Sequence, residues 1–516
     1  MIVRHPQMLR LGLRHDEERR NSRQAHRGSR TFRPGHRHWI HRKPWDVFDA
    51  AGRPLKGGRV KVPHHFTTGG DGTSEIDPDV VVGEVEQILT EFANRPVAER
   101  IRGVALDTFA SSLVGVAKDR RARTPCFTYA DSRCANQVIQ LRRELDELEI
   151  QQRTGCRLHT SYLTPRLRWL RDTEPDTFGA VRHWMSLGEY VWLRVLGVTA
   201  AGTSTAAWAG MLDRRTGDWD PELLGACGVS VERLSEIRNP DHPIRDVDQA
   251  VGRRWPALAG AVWFPVIADG FSSNVGAGAR DESTVAVSAA TSGAMRVLVN
   301  GAPEKLPAGL WCYRVDASHS LLGGALNDVG RAISWLTSTL QISPESDLNE
   351  LLLASPEQTT PLVLPFFSGE RSTGWAADAR TTFSGVSAAT TPPMLFRGTV
   401  EGVTLSYARI AEELHDVAGE TRQIVASGRV TQDLPALLQV LADVLQIQVI
   451  PVIMKRVTLR GTALISLDVL APGVDRAEPV IGDTRWPIKD RAPYYSAGKQ
   501  QFQDLYDAVV ATPTDR

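Results

Sequence analysis

The sequence is poor in cysteine, with five among 516 residues: Cys126, Cys134, Cys156, Cys227 and Cys312. None forms a CxxC pair or has zinc-ligand spacing, which argues against a disulfide scaffold or structural zinc and fits a reducing cytoplasm. Long hydrophobic runs are missing as well. The most apolar stretch, Leu434 to Met454, is interrupted by Gln439, Asp443, Gln446 and Gln448, so no membrane span is expected. Near the start there is no apolar h-region, which rules against a secretory signal. The signatures GxxxxGK[ST], GxGxxG after a strand, HExxH and GxSxG are all absent.

What is present is the balance of a globular protein, 42% hydrophobic and 23% charged, at a length that suggests two domains or more. The zero net charge is unevenly divided. Residues 1–43 hold 12 Lys+Arg, 3 Asp+Glu and 6 of the 13 histidines, a net of +9, and the remainder carries −9. Arg14 to Lys43 has almost no aliphatic residues and no period of 2 or 3.6, so it cannot bury enough apolar area to offset the entropy of ordering it. Segment 1–44 reads as disordered or mistranslated. Its arginine clusters would also suit a nucleic-acid-binding arm, and its composition a transit peptide, though without the amphipathic period of one.

From Trp45 the pattern turns globular. Asp46 to Asp49 reads as a strand end before a turn, with Arg59 to Val62 as the next strand. Asp77-Pro78 is a helix cap, and Val81, Val85, Ile88, Leu89 and Phe92 then share one helical face. Val138, Leu141, Leu145 and Leu148 form another stripe, ended near Gly155. Trp169, Trp184 and Trp192 read as core. Trp263 to Asn300 alternates Gly-rich turns with short strands. Helices follow over Asn327–Leu340, Pro392–Val417 and Leu434–Leu445, with a strand at Ile424–Ala426. Strands followed by helices in both halves suggest an α/β protein of two similar domains with a cleft between them.

Three small-residue turns directly follow apolar strands, where backbone N–H groups make anion-binding concavities. Ile267-Ala-Asp-Gly270 delivers Asp269 into a turn that starts a helix, as a general base or as a simple cap. Ser288-Ala-Ala-Thr-Ser-Gly293 is a hydroxyl-rich hairpin turn suited to phosphate, or an ordinary hairpin. Ala426-Ser-Gly-Arg429 links a buried strand to a helix, as a nucleotide site or a plain loop.

Taken in order, these turns resemble the FGGY family of carbohydrate kinases, and its gluconokinase-like members most of all. Tyr129-Ala-Asp-Ser-Arg133 is similar to the family's W-A-D-T-R strand, and Ala268-Asp269-Gly270 to its G-D-G turn. Pro165-Arg-Leu-Arg-Trp-Leu170, Leu322-Gly-Gly-Ala-Leu-Asn327 and Gln439-Val-Leu-Ala-Asp443 continue the series. Trp311-Cys-Tyr313 and Ser368-Gly-Glu-Arg-Ser-Thr-Gly-Trp375 favour the gluconokinase branch. The resemblance implies two RNase H-like (actin-like ATPase) domains, sugar-binding over 45–257 and nucleotide-binding over 258–480, then a tail over 481–516. It implies ATP and Mg²⁺ as cofactors, with D-gluconate phosphorylated to 6-phospho-D-gluconate or, alternatively, a pentulose such as xylulose. Asp269 would be the base. Thr291, Gly293, Gly330, Gly428 and Arg429 would hold phosphates and nucleoside, and Thr108, Ser111, Asp131 and Arg133 the sugar. Arg133 suits a sugar acid's carboxylate, or equally an internal ion pair. No metal ligand is assigned. The expected partner is a small sugar or sugar acid, with no nucleic acid or membrane, in the cytoplasm, and a homodimer is compatible.

One family element is missing. A hairpin D-x-G-T-(S/T) with a phosphate-gripping role should precede Asp49-Ala-Ala-Gly52, where the basic segment stands; Asp71-Gly72-Thr73 follows no apolar strand and is a decoy. An Arg/His/Pro/Gly-rich run of this kind is what GC-rich DNA yields in a shifted frame, so residues 12 to 44 are expected to be a frame-shifted hairpin. A chain lacking that hairpin would be a catalytically impaired kinase.

Overall fold

The computed structural model describes residues 2–3 and 39–510, apart from 57, 246, 248, 341 and 343–346. Most of the basic segment, with the expectations attached to it, lies outside the described residues. Its last part is the strand Trp39–Trp45, antiparallel to Val60–Thr68, so regular structure begins ahead of the boundary expected at residue 45.

The first domain is built around a sheet whose strands lie in the order Val262–Trp263, Ile101–Val104, Ile2–Val3, Phe48–Asp49. Ile2–Val3 runs parallel to Phe48–Asp49 and antiparallel to Ile101–Val104. Val262–Trp263 joins as a parallel strand, so this sheet extends past the domain boundary expected at residue 257. Beyond Phe48–Asp49 the chain turns sharply. Asp49 Oδ1 accepts the N–H groups of Ala51 and Arg53, both at 2.9 Å, and Gly52 takes φ 79°. The helix Pro78–Ala93 begins as its sequence dictates, with the Asp77 carboxylate accepting from Asp79 and Val80 N–H. Its buried stripe of Val81, Val85, Ile88, Leu89 and Phe92 shares one core with Tyr190, Trp192 and Trp263.

The second domain carries six strands in the order Trp311–Arg314, His319–Leu326, Gly293–Asn300, Thr284–Ala289, Gln423–Ser427, Val449–Pro451. The first four are antiparallel neighbours and the last two continue in parallel. Val287, Met295, Val297 and Val299 point one way, packing with Phe396, Val400, Val403 and Ile410 of the 27-residue helix Pro392–Ala418. Leu298, Leu321, Trp311 and Tyr313 share a cluster with Tyr162, Ala206 and Phe271 across the cleft.

Local competition reshaped two expected elements. The stripe from Val138 to Leu148 is two helices, Ala135–Glu144 and Glu147–Thr154, because Asp146 caps the second at 2.9 Å from Leu148 N and leaves Leu148 exposed. The segment expected as a tail holds the helix Ala492–Val509, which buries Tyr495, Phe502 and Tyr506 in the second core. Trp184 and Trp192 are core; Trp169 is partly buried.

The helices Asp269–Ala277 and Val457–Leu470 cross with their backbones in contact. A Cβ on Gly461 would sit 1.7 Å from Ser272 O, and one on Gly276 1.8 Å from Val457 O. Among the described residues no helix is long and apolar enough to cross a membrane.

Candidate active site

The strand Ile267–Ala268 pairs in parallel with Asp107–Thr108, and Asp269 emerges as the first residue of the next helix, beside Asp107. The helix carries no side-chain cap, so the capping alternative is not realised; the Asp269 carboxylate accepts instead from Gly270 and Ala110 N–H. Burial pushes this carboxyl up to about 6, and the Asp107 charge adds to the rise, while Arg296 and the two N–H groups oppose it. Asp107 is itself held: Thr462 Oγ1 donates to its Oδ2 at 2.6 Å. The Thr462 hydroxyl has one proton, so Ser272 Oγ, at 3.0 Å, donates to it in turn. A half-buried carboxyl raised to about 6 in a cleft has the properties of a general base.

An aromatic wall stands next to it. Gly270 lies against Trp208, where a Cβ would come 2.9 Å from the ring. Trp208 stacks on Tyr313 with centroids 3.9 Å apart, and Tyr313 on Trp311 at 4.5 Å. Tyr313 shares a 2.7 Å hydroxyl contact with Tyr162.

Four residues were expected to hold sugar. Thr108 is buried with Oγ1 unpartnered, on a cavity of about 560 Å³ that also reaches Asp107, Asp269 and Thr462. Ser111, at φ 57°, donates to Trp208 O at 2.5 Å and so positions the wall. Asp131 accepts from Ser74 N at 3.0 Å and from Arg133 Nη2 at 2.7 Å. Arg133 is also paired with Glu75 and lies 4.7 Å over the Trp169 ring. Its fork is already filled by protein carboxylates, so the internal ion pair left open by the sequence is the arrangement found.

The residues expected around the nucleotide converge at one end of the second sheet. Gly330 N donates to Ala290 O at 2.8 Å, and Arg331 N to Thr291 O at 3.1 Å, which pins the hairpin turn to the helix Gly330–Thr339. A Cβ on Gly330 would fall 2.5 Å from Ala290 O, one on Gly428 (φ 121°) 2.2 Å from Ala289 O, and one on Gly293 2.0 Å from the Tyr407 hydroxyl. Thr291 stands exposed at the tip. Arg429 sits at the rim, paired with Asp433 at 2.9 Å, its side chain 87% exposed. This cradle of bare backbone fits a phosphate chain. Among the described residues no three His, Cys, Asp or Glu side chains cluster to hold a metal ion; a cation carried in on nucleotide phosphates requires no such cluster.

Two features beside Asp269 carry no motif in the sequence: Trp208, which packs on Gly270, and Arg296, whose charge acts on the carboxyl. Arg296 had a visible signal, as the one charged residue in the strand Gly293–Asn300.

Residues 46–276 match the N-terminal domain and 285–467 the C-terminal domain of the FGGY family of carbohydrate kinases. A gluconokinase from Bacillus subtilis is 23% identical over 82% of this chain and 86% of its own length. The xylulose kinase of Escherichia coli is 23% identical over 66% and 70%. Among solved structures, a gluconate kinase from Lactobacillus acidophilus superposes with TM-score 0.83 at 22% identity, covering 93% of this chain and 99% of that one.

Proposed function

Because the chain belongs to the FGGY family of carbohydrate kinases, ATP-dependent transferases that phosphorylate sugars, we propose that its acceptor is D-gluconate and its product 6-phospho-D-gluconate, made in the cytoplasm. The observation that carries the kinase chemistry is Asp269, half-buried where the two domains meet, with its carboxyl raised to about 6. Gluconate is supported by likeness to gluconate kinases in both sequence and fold. Xylulose is the second reading, favoured by the pentulose kinases of comparable likeness.

In this reading Asp269 takes the proton from the acceptor hydroxyl as that oxygen attacks the terminal phosphorus. The Trp208–Tyr313 wall orients the acceptor, and the Thr291 turn with Gly330 and Gly428 holds the phosphates in line. Bound ATP would supply the phosphoryl group, its bond from the γ-phosphorus to the β-phosphate oxygen breaking as the new one forms and ADP leaving, and Mg²⁺ bound with it would offset the phosphate charge. The test is ADP release from the purified chain with ATP, Mg²⁺ and gluconate, beside xylulose and an Asp269→Asn control. Turnover with gluconate that falls by about 10²–10⁴-fold in the control supports the reading, on the usual contribution of a general base. Turnover with xylulose alone transfers it to a pentulose kinase.

We also propose that residues 12 to 44 are the frame-shifted remnant of a hairpin. The support is that the family match begins only at residue 46, directly after the Arg-, His-, Pro- and Gly-rich run. An intact hairpin in another frame of the nucleotide sequence is the expected finding. Without one, the chain is a kinase impaired at its first phosphate grip.

A further inference from the structure

Arg166 is fully buried, and no step of the transfer uses it. Its hydrogen bonds run to main-chain carbonyls. Nη1 donates to Ser111 O and Nη2 to Thr160 O, both at 2.9 Å, while Nε is buried without a partner. Taking a guanidinium out of water costs free energy that only well-placed acceptors offset, so the carbonyls it grips define what it does.

One of them belongs to a strained residue. Ser111 has φ 57°, a left-handed backbone that a serine keeps only where its surroundings enforce it. Arg166 holds its carbonyl on one side. On the other, the Ser111 hydroxyl donates at 2.5 Å to the carbonyl of Trp208. Trp208 is the last residue of the short helix Thr203–Trp208, and a carbonyl at a helix end has no acceptor role inside the helix. The next carbonyl, Ala209 O, accepts from Leu163 N at 3.0 Å, at the start of the helix Leu163–Thr173 that carries Arg166. The three bonds close a circuit through the Ser111 turn, the end of the Trp208 helix and the Arg166 helix.

The aromatic wall hangs on this circuit at two points. Trp208 stacks on Tyr313 at 3.9 Å and packs against Gly270, next to Asp269. Tyr162, immediately before the Arg166 helix, lies on Gly210, where a Cβ would come 2.8 Å from its ring. Its hydroxyl meets that of Tyr313 at 2.7 Å. Trp208 and Tyr162 belong to the first domain and Tyr313 to the second, so the circuit sets how the two halves of the wall meet beside the base.

We propose that Arg166 and Ser111 are positioning residues, which together hold Trp208 in register with Tyr313 and so fix the wall against which the acceptor lies. Arg166 acts through Ser111, and Ser111 through the Trp208 carbonyl. This rests on the reading of that wall as the acceptor's and adds the residues that keep it in place.

Two measurements on the full chain test it, with Ser111→Ala, Arg166→Lys and Arg166→Met. The first needs neither substrate nor turnover. The near-ultraviolet circular dichroism that disappears in Trp208→Phe reports the Trp208–Tyr313 stack. Ser111→Ala and Arg166→Met should lose roughly half of that band or more, with far-ultraviolet spectra unchanged. Arg166→Lys, which can still reach one carbonyl, should keep more of it. The second measurement is calorimetric binding of D-gluconate and D-xylulose. Whichever sugar the wild type binds should bind about tenfold more weakly to Ser111→Ala and Arg166→Met, with MgATP affinity held within about threefold. In a Trp208→Phe background the same substitutions should weaken sugar binding by less than about threefold, because they have nothing left to act through. A band that survives in Ser111→Ala and Arg166→Met, or a tenfold loss that persists without Trp208, would overturn the assignment. If the wild type binds neither sugar, it is the acceptor reading that fails, and the dichroism band alone decides the brace. Where Arg166→Met does not fold, Ser111→Ala and Arg166→Lys decide it by the same two readouts.

Discussion

Asp269 can accept a proton only when ionised, so its displacement to about 6 sets where activity appears on the pH axis. The value is raised, so the carboxyl is protonated and idle below it: kcat/KM should climb through pH 6 and level above. Asp107 is the second cause of the rise, and Asp107→Asn should move the midpoint of that limb downward, with Arg296, Arg371 and Tyr129 left in place; pH–rate profiles of both proteins check this. His159 adds no limb of its own between pH 5 and 8. Burial first, then Arg371, Arg142 and Arg166, holds it down at about 3, and its Nδ1 already accepts the Ser161 N–H at 3.1 Å. Its ring carbons should therefore show no titration by NMR across that range. At this scale the sequence revealed residues fixed by local backbone, and it left open those whose role depends on a distant partner. Asp269, Thr291, Gly330 and Gly428 follow strands at small-residue turns and can be found by that rule. Arg133 gives no such signal in one dimension, because the Glu75 that occupies it lies 58 residues away.

Elements with their own start signals were legible in the same way. Asp77-Pro78 announced its helix, and the apolar stripe behind it gave the buried face. Asp146 is also a start signal, but it stands inside a stripe whose leucine spacing argues for continuity; the cap prevails because it satisfies two N–H groups that a through-helix would not leave open. The crossing of Asp269–Ala277 with Val457–Leu470 could not be foreseen, since it depends on two glycines 185 positions apart meeting backbone to backbone. Gly461→Ala should lower the melting temperature sharply, by the equivalent of about 1–3 kcal/mol or more, because the added methyl meets a carbonyl and not a flexible side chain. Gly330→Ala is a milder intrusion at the hairpin turn. It should raise KM for ATP while leaving KM for the acceptor nearly unchanged, as two-substrate kinetics will show.

For the molecule as a whole, stability should depend on pH through Glu413 on the helix Pro392–Ala418. Burial lifts its carboxyl to about 7 from an ordinary 4.5, with Asp416 and Glu370 adding to the rise and Arg409 and the Gly309 N–H opposing it; Oε2 has no partner. The folded state therefore keeps a proton that the unfolded chain releases earlier. That contribution is complete below pH 4.5 and is lost as pH rises through 7. Melting temperatures at pH 5 and pH 8 should fall further apart in the wild type than in Glu413→Gln. The last helix of the second domain also holds the loop of Arg371, because Tyr506 binds Glu370 and a Cβ on Gly374 would strike its hydroxyl. Ala492–Val509 is thus a handle attached to that loop. A tag, a fluorophore or a truncation placed there would loosen a segment more than a hundred residues away in the chain.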